Sequence, residues 1–67
     1  MSDVARVTEI SSRSPESFED AIKTGIDRAT QTLRHVTSAW IKEQQVKVED
    51  GRITEYQVNM LITFVLE

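Results

Sequence analysis

The 67-residue chain contains no cysteine, one histidine, one proline and two glycines. The lack of cysteine excludes disulfides and thiolate metal sites, and a single histidine argues against a histidine-based zinc centre. A domain of this size buries only about 60% of the surface that its unfolded chain exposes. Small domains therefore often gain stability from a disulfide, a metal or a partner subunit. Because disulfides are excluded and a metal centre is not indicated, we expect this chain to gain stability from association with partner subunits.

The chain also lacks an excess of positive charge and any long apolar run. Its net charge is −3, from 8 basic and 11 acidic residues, which argues against nucleic acid or an anionic membrane as the main partner. No apolar segment approaches the length of a membrane span, and the first ten residues lack the apolar core of a signal peptide. We therefore expect a cytoplasmic protein with a single domain over residues 1–67.

The first half of the chain predicts a strand followed by a helix. The segment Val4–Ile10 is rich in β-branched residues and predicts a short strand. Ser14 before Pro15 is typical of a helix start, with a hydroxyl as the cap and proline in the first turn. Apolar residues then recur at helical spacing over residues 18–36. Gly25 lies beside this stripe, and we expect it to allow close packing against a strand.

The second half predicts a β-hairpin. The apolar pattern changes to a period of two over residues 39–49 and 52–67. Asp50 and Gly51 lie between these segments, and this dipeptide favours a type I′ turn, in which both central residues have positive φ. The element order is then β-α-β-β, which predicts an α+β fold with a three-stranded antiparallel sheet and one helix.

Alternation along the last strand separates two faces of the predicted sheet. One face is wholly apolar and should pack on the helix: Tyr56, Val58, Met60, Ile62, Phe64 and Leu66. The other face is called the open face below. On the last strand it carries Glu55, Gln57, Asn59, Leu61, Thr63 and Val65.

The turn also predicts which residues of the hairpin oppose each other. With Asp50 and Gly51 as the loop, the opposed pairs are Gln44 with Gln57, Lys42 with Asn59, and Trp40 with Leu61. One helix covers only one face of such a sheet. The open face would then leave apolar side chains in water, namely Trp40, Val46, Val48, Leu61 and Val65, and such a group usually marks an interface or a ligand site.

Two residues of the open face have the chemistry of a binding site. Trp40 could be a platform for a flat ring, although an anchor between subunits is the more common role of such a tryptophan. The amide of Gln57 both donates and accepts and so could bind a ring edge, or it could pair with Gln44. His35 is predicted to interact favourably with the helix C-terminus. Because no nucleophile with a base, phosphate loop or metal-hydrolase motif is present, we predict that the protein is not an enzyme.

The element order, together with "SPESFEDAIKTGIDRATQTLRHV" and "EYQVNMLITFVLE", resembles the dodecin family over about Val4 to Leu66. Dodecins are small flavin-binding proteins that assemble as hollow dodecamers and store or buffer flavin rather than catalyse a reaction. The resemblance implies a sheet partly wrapped around one helix, a homododecamer, and FMN, riboflavin or FAD as the ligand. Stacking of the flavin would also quench its excited state, which implies photoprotection.

The resemblance also implies the site residues. In flavin-binding dodecins a tryptophan of the second strand stacks on the isoalloxazine ring, and a glutamine of the third strand binds its edge. That glutamine is Gln57 here, whereas a gapless alignment places the family's tryptophan at Ser38, two residues before Trp40. Two residues along a strand keep the same face and are about 6–7 Å apart. The implied flavin site therefore contains Trp40 and Gln57, with Gln44, Ser38 and Lys42 near them, and no residue is predicted as a metal ligand.

The family also offers an alternative function. Some dodecins without that tryptophan have other roles, including calcium binding, so a structural or ion-binding assembly without flavin remains the alternative. Some bacterial dodecins bind coenzyme A through arginines, and the gapless alignment places Gln45 and Val65 there. This argues against coenzyme A and leaves Lys42 and Lys47 as the cations that could hold a flavin phosphate.

Overall fold

The computed structural model describes residues 2–67 as one antiparallel sheet with a helix on one face. The elements are β1 (Val4–Ser14), α1 (Phe18–Thr32), β2 (Val36–Glu49) and β3 (Arg52–Leu66). β3 lies in the middle, so the strand order in the sheet is β1-β3-β2. The predicted α+β fold with the order β-α-β-β is confirmed.

The helix begins three residues later than the sequence suggested. Ser17 is the N-cap, and its Oγ accepts a hydrogen bond from the backbone N–H of Asp20 at 2.9 Å. Ser14 is instead the last residue of β1, where it pairs with Tyr56. Its Oγ accepts from the N–H of Glu16 at 3.0 Å and donates to Asp20 Oδ2 at 2.6 Å. The prediction of a cap at Ser14 is therefore wrong, because this hydroxyl stabilises the connection from the strand to the helix.

The helix also ends earlier than predicted, at Thr32 rather than near Val36. Leu33 is already extended, with φ −104° and ψ 136°, although its N–H still donates to the carbonyl of Ala29 at 2.9 Å. Leu33 and Val36 nevertheless pack against the core, from the connection and from β2. Both residues fit the apolar spacing of a helix because they contact the same core, although they lie beyond the end of the helix.

Small residues on α1 let the helix approach the sheet closely. The residues that form the buried core are Ala21, Ala29, Val58, Met60 and Ile62. Gly25, which lies between Ala21 and Ala29 in the sequence, is also buried. A Cβ at this position would collide with Cε of Met60 and lie 3.0 Å from Cβ of Ser12. The predicted close packing of Gly25 against a strand is confirmed.

The turn between β2 and β3 has the predicted conformation. Asp50 has a φ of 52° and Gly51 a φ of 75°, and two positive φ values are the requirement of a type I′ turn. The predicted pairing of Trp40 with Leu61 is also confirmed. Both residues lie on the open face, away from α1.

The pairing between the turn and Trp40 differs from the prediction because the hairpin contains two bulges there. One lies between Lys47 and Val48 and adds Thr54 to β3, and the other lies between Ile41 and Glu43 and adds Lys42 to β2. Their shifts are opposite and cancel, so the register at Trp40 is the predicted one. A third irregularity follows beyond Trp40, between Val36 and Ser38.

Between the two bulges every residue of β2 is displaced by one position. Gln57 pairs with Gln45, and Gln44 pairs with Val58, which is fully buried under the helix. Because directly opposed residues share a face, Gln44 belongs to the helix side of the sheet. The predicted pairs of Gln44 with Gln57 and of Lys42 with Asn59 are therefore wrong. Val46 lies opposite Tyr56, and alternation along β2 places Val48 on the same, helix side, where both remain exposed. The prediction that these two valines lie on the open face is therefore wrong.

Candidate functional site on the open face

The open face has an apolar half and a polar half. Around Trp40 the register places Leu61, Val65 and Val7 on this face, and around Gln57 it places Asn59, Ser11, Arg13 and Glu43. The helix lies on the opposite face and covers none of these side chains. Long uncovered strands thus present one apolar and one hydrogen-bonding surface side by side.

Trp40 is the most prominent side chain of the apolar half. It is 67% exposed, lies opposite Leu61 on the central strand, and has Val7, itself 54% exposed, on the same face. Ser38 is also exposed on this face, opposite Thr63. A large aromatic side chain can bury about 250 Å², so the exposed two-thirds of Trp40 corresponds to roughly 4 kcal/mol at about 25 cal/mol per Å². This is an upper estimate of what a flat partner would gain by covering the indole.

Gln57 is held by three hydrogen bonds to neighbouring side chains. Its Oε1 accepts from Nε of Arg13 at 3.2 Å, and its Nε2 donates to Oγ of Ser11 at 3.0 Å and to Oδ1 of Asn59 at 3.2 Å. Both amide hydrogens are therefore used, while Oε1 retains one lone pair. The predicted partner, Gln44, makes none of these bonds, because it lies on the other face.

The network around Gln57 continues across all three strands. Oγ of Ser11 on β1 donates to Oδ1 of Asn59 on β3 at 2.9 Å, and Nδ2 of Asn59 donates to Oε1 of Glu43 on β2 at 3.1 Å. Sequence reasoning did not include Arg13, Ser11 or Glu43 in the site. The β1–β3 register positions Arg13 and Ser11 beside Gln57, and the bulge in β2 positions Glu43 there. The sequence of the hairpin turn determines neither feature.

Lys42 reaches the open face from the bulge. Its Nζ lies 3.5 Å from Oε1 of Glu9 on β1, so its side chain extends over the central strand. Both side chains are about half exposed, and an exposed ion pair of this kind contributes about 0–1 kcal/mol. Lys42 could therefore leave Glu9 for a ligand phosphate at little cost. Lys47 lies on the same face, opposite Glu55.

The aromatic plate and the amide are well separated within one chain. Trp40 lies opposite Leu61, four residues from Gln57 along the central strand. At about 3.4 Å per residue and about 4.8 Å between strands, the two backbone positions are roughly 14 Å apart. A single flat ligand that stacks squarely on Trp40 would thus not have its edge at Gln57 of the same chain.

His35 lies outside this site and does not cap the helix. It follows the last helical residue, Thr32, by three positions and has a positive φ of 61°. Its Nε2 lies 2.7 Å from Oε1 of Glu67, and its carbonyl accepts from the N–H of Val65 at 3.0 Å. The predicted interaction with the helix C-terminus is therefore wrong, because the chain turns away to begin β2.

Within residues 2–67 no three or more histidine, cysteine, aspartate or glutamate side chains lie together as a metal site would require. The one helix in this part of the chain is too short and too polar to cross a membrane. A groove of about 580 Å³ lies elsewhere, between α1 and β1, with Thr24, Gly25 and Arg28 among its lining residues.

Comparison with known proteins identifies relatives over almost the whole chain. The family model named Dodecin matches residues 4–67. A curated dodecin of Thermus thermophilus is 34% identical over 67 residues, which covers all of this chain and 97% of that protein. The solved dodecin of Streptomyces davaonensis is 37% identical with a TM-score of 0.93, covering 100% of this chain and 98% of that one.

A further solved relative is a calcium-binding dodecin. The calcium-chelating immunodominant antigen of Mycobacterium tuberculosis, a calcium dodecin with a novel calcium-binding site, is 28% identical. The similarity covers 96% of this chain and 91% of that one, with a TM-score of 0.82.

Proposed function

Because the chain belongs to the dodecin family, we propose that it binds an oxidised flavin non-covalently and stores it in a homododecamer. Dodecins as a family are small binding proteins without enzymatic activity, and they generally bind flavins. The observation that carries the proposal is Trp40, a 67% exposed tryptophan on the sheet face opposite the helix. FMN, riboflavin and FAD share the three-ring system that would cover it.

Stacking on Trp40 supplies the main binding energy in this proposal. The isoalloxazine ring is flat and aromatic, and stacking of a heteroaromatic base on an aromatic side chain contributes about 1–3 kcal/mol. Leu61 on the central strand extends the apolar surface beside Trp40, and Val7 extends it further on β1, where it lies opposite Thr63. A stacked flavin also loses its excited state rapidly to the indole, so storage and photoprotection follow from one contact.

Gln57 supplies the edge recognition, and its distance from Trp40 favours a site shared between subunits. With roughly 14 Å between the two backbone positions, a ring on Trp40 of one chain would meet Gln57 of another. Lys42 is the proposed phosphate contact when the ligand is FMN, and Ser38 lies two residues from Trp40 at the edge of the stacking surface. Gln44 is not part of the proposed site, because it lies on the helix side of the sheet, opposite the open face.

The proposed homododecamer would bury the apolar half of the open face. A chain of 67 residues with Trp40 and Val7 more than half exposed gains stability when other subunits or ligands cover these side chains. Location in the cytoplasm remains a prediction from the sequence.

The calcium dodecin among the relatives makes an ion-binding assembly the second candidate. Residues 2–67 contain no cluster of three acidic or metal-binding side chains within one chain, and under this alternative calcium would be held by oxygen ligands from several subunits, with backbone and amide carbonyls among them. Under this alternative Trp40 anchors subunits. A colourless purified protein whose assembly dissociates on Trp40→Ala would favour it.

Flavin fluorescence tests the proposal. We expect wild-type protein at micromolar concentration to quench riboflavin and FMN, and Trp40→Ala to weaken binding roughly tenfold or more, as loss of about 1–3 kcal/mol of stacking implies. Lys47→Ala is the matched control in the riboflavin titrations, because riboflavin has no phosphate for Lys47 to hold and Lys47, exposed on the same face, is remote from Trp40 in the register. Absence of quenching, or equal effects of the two substitutions, would contradict the proposal.

A further inference from the structure

We propose that Arg13 is a ligand-binding residue, which together with Gln57 recognises the imide edge of the flavin's pyrimidine ring. The imide edge is the carbonyl, N–H, carbonyl sequence of that ring. This inference rests on the proposed function and extends it to a residue outside the predicted site. Arg13 and Gln57 lie directly opposite each other on β1 and β3, on the open face.

The contact between the two side chains leaves most of the guanidinium group available. Nε of Arg13 donates to Oε1 of Gln57 at 3.2 Å, and this is the one side-chain hydrogen bond that Arg13 makes within residues 2–67. No carboxylate in that part of the chain forms an ion pair with it. A guanidinium group is planar, with its N–H donors in a fixed fork, so an Nη hydrogen points alongside the Nε hydrogen, next to Oε1 of Gln57.

The remaining bonds of Gln57 fix what it can offer to a ligand. Both hydrogens of Nε2 are used by Ser11 and Asn59, at 3.0 and 3.2 Å. These bonds hold the amide in one orientation. The second lone pair of Oε1 is then the only hydrogen-bonding position of this amide that a ligand can use. The pair of side chains therefore presents an acceptor from Gln57 and a charged donor from Arg13, side by side.

An imide edge is complementary to this arrangement. Its ring N–H would donate to Oε1 of Gln57, and the adjacent carbonyl would accept from Nη of Arg13. The apolar dimethylbenzene end of the flavin has neither group, so the pair would orient the ring as well as bind it. The hydrogen bond to Arg13 is charge-assisted, and such bonds contribute more than neutral ones.

Lumiflavin, 3-methyllumiflavin and FMN separate the possible roles of Arg13, because lumiflavin has the imide but no phosphate. We expect Arg13→Ala to weaken lumiflavin binding roughly tenfold in fluorescence titrations, as loss of one such bond implies. Arg6→Ala is the matched control, since Arg6 lies on the same strand but opposite Phe64, on the helix side, and it should leave the affinity unchanged. Wild-type protein should also bind 3-methyllumiflavin more weakly than lumiflavin, because methylation removes the N–H.

Several results would overturn the inference. Unchanged lumiflavin affinity in Arg13→Ala, or equal binding of lumiflavin and its 3-methyl derivative by wild-type protein, would exclude recognition of the imide. A loss confined to FMN would make Arg13 a phosphate contact instead. Failure of wild-type protein to bind any of the three flavins would remove the proposed function and this inference together, whereas the other failures leave flavin binding by stacking on Trp40 intact. The comparison of the two lumiflavins needs no variant and so does not depend on the folding of Arg13→Ala.

Discussion

Replacement of Gly25 by alanine tests the packing of the helix on the sheet, on which the whole open face depends. In an exposed helix, alanine is more favourable than glycine by about 1 kcal/mol. At Gly25 the new Cβ would collide with Cε of Met60 and lie 3.0 Å from Cβ of Ser12. Met60 is fully buried and Ser12 is 8% exposed, so the terminal methyl of Met60 must shift within the packed core to admit the new Cβ.

The unfavourable contribution should be the larger of the two. Inserting an extra carbon into a packed core costs about 1–3 kcal/mol, which exceeds or at least equals the gain in helix propensity. We therefore expect Gly25→Ala to lower the free energy of unfolding by up to about 2 kcal/mol. For a domain of this size, each 1 kcal/mol corresponds to a change of roughly 4–8 °C in Tm.

Thermal unfolding followed by circular dichroism, at one fixed protomer concentration, measures this change. Thr24→Ala is the matched control, because Thr24 is the preceding helical residue and is exposed, so it should leave Tm unchanged or raise it slightly. In a Met60→Leu background, which removes Cε, the Gly25→Ala substitution should be less damaging, and a double-mutant cycle measures this coupling. A rise in Tm on Gly25→Ala alone would refute the reasoning.

Two further predictions concern the helix start and the assembly. Ser17→Ala removes the N-cap hydroxyl that accepts from Asp20 at 2.9 Å and should lower the free energy of unfolding by about 1 kcal/mol in chemical denaturation; an unchanged midpoint would show that the Ser14 hydroxyl suffices. Light scattering at neutral pH and moderate salt should give the mass of twelve 7.7 kDa chains, and the mass of a single chain would contradict the proposed assembly.

The sequence predicted the parts of the fold that local chemistry determines. The positive φ values at Asp50 and Gly51 and the alternation along β3 follow directly from residue type and spacing. The pairing of Trp40 with Leu61 was correct because two bulges of opposite effect cancel before that position. The sequence does not mark where these bulges lie, because an added residue such as Lys42 is of a type that also occurs in regular strands.

The same bulges explain what sequence reasoning missed in the candidate site. A shift of one residue between them places Gln45 and Glu43 on the open face and removes Gln44 from it. Arg13 was missed for a different reason. The strand β1 was predicted to end at Ile10, because the polar residues 11–14 lack β-branched side chains, whereas in the structure they continue the pairing with β3 as far as Ser14. Long-range pairing, which local propensity does not include, decides that boundary.

The fluorescence of the protein itself tests the central claim most directly, because Trp40 is the only tryptophan in the chain. The tryptophan emission of the protein therefore comes entirely from this position on the open face. We predict that addition of riboflavin or FMN quenches this emission in step with the quenching of the flavin, and that both curves saturate together. Flavin binding that leaves the emission of Trp40 unchanged, or no binding at all, would contradict the claim that Trp40 is the stacking platform.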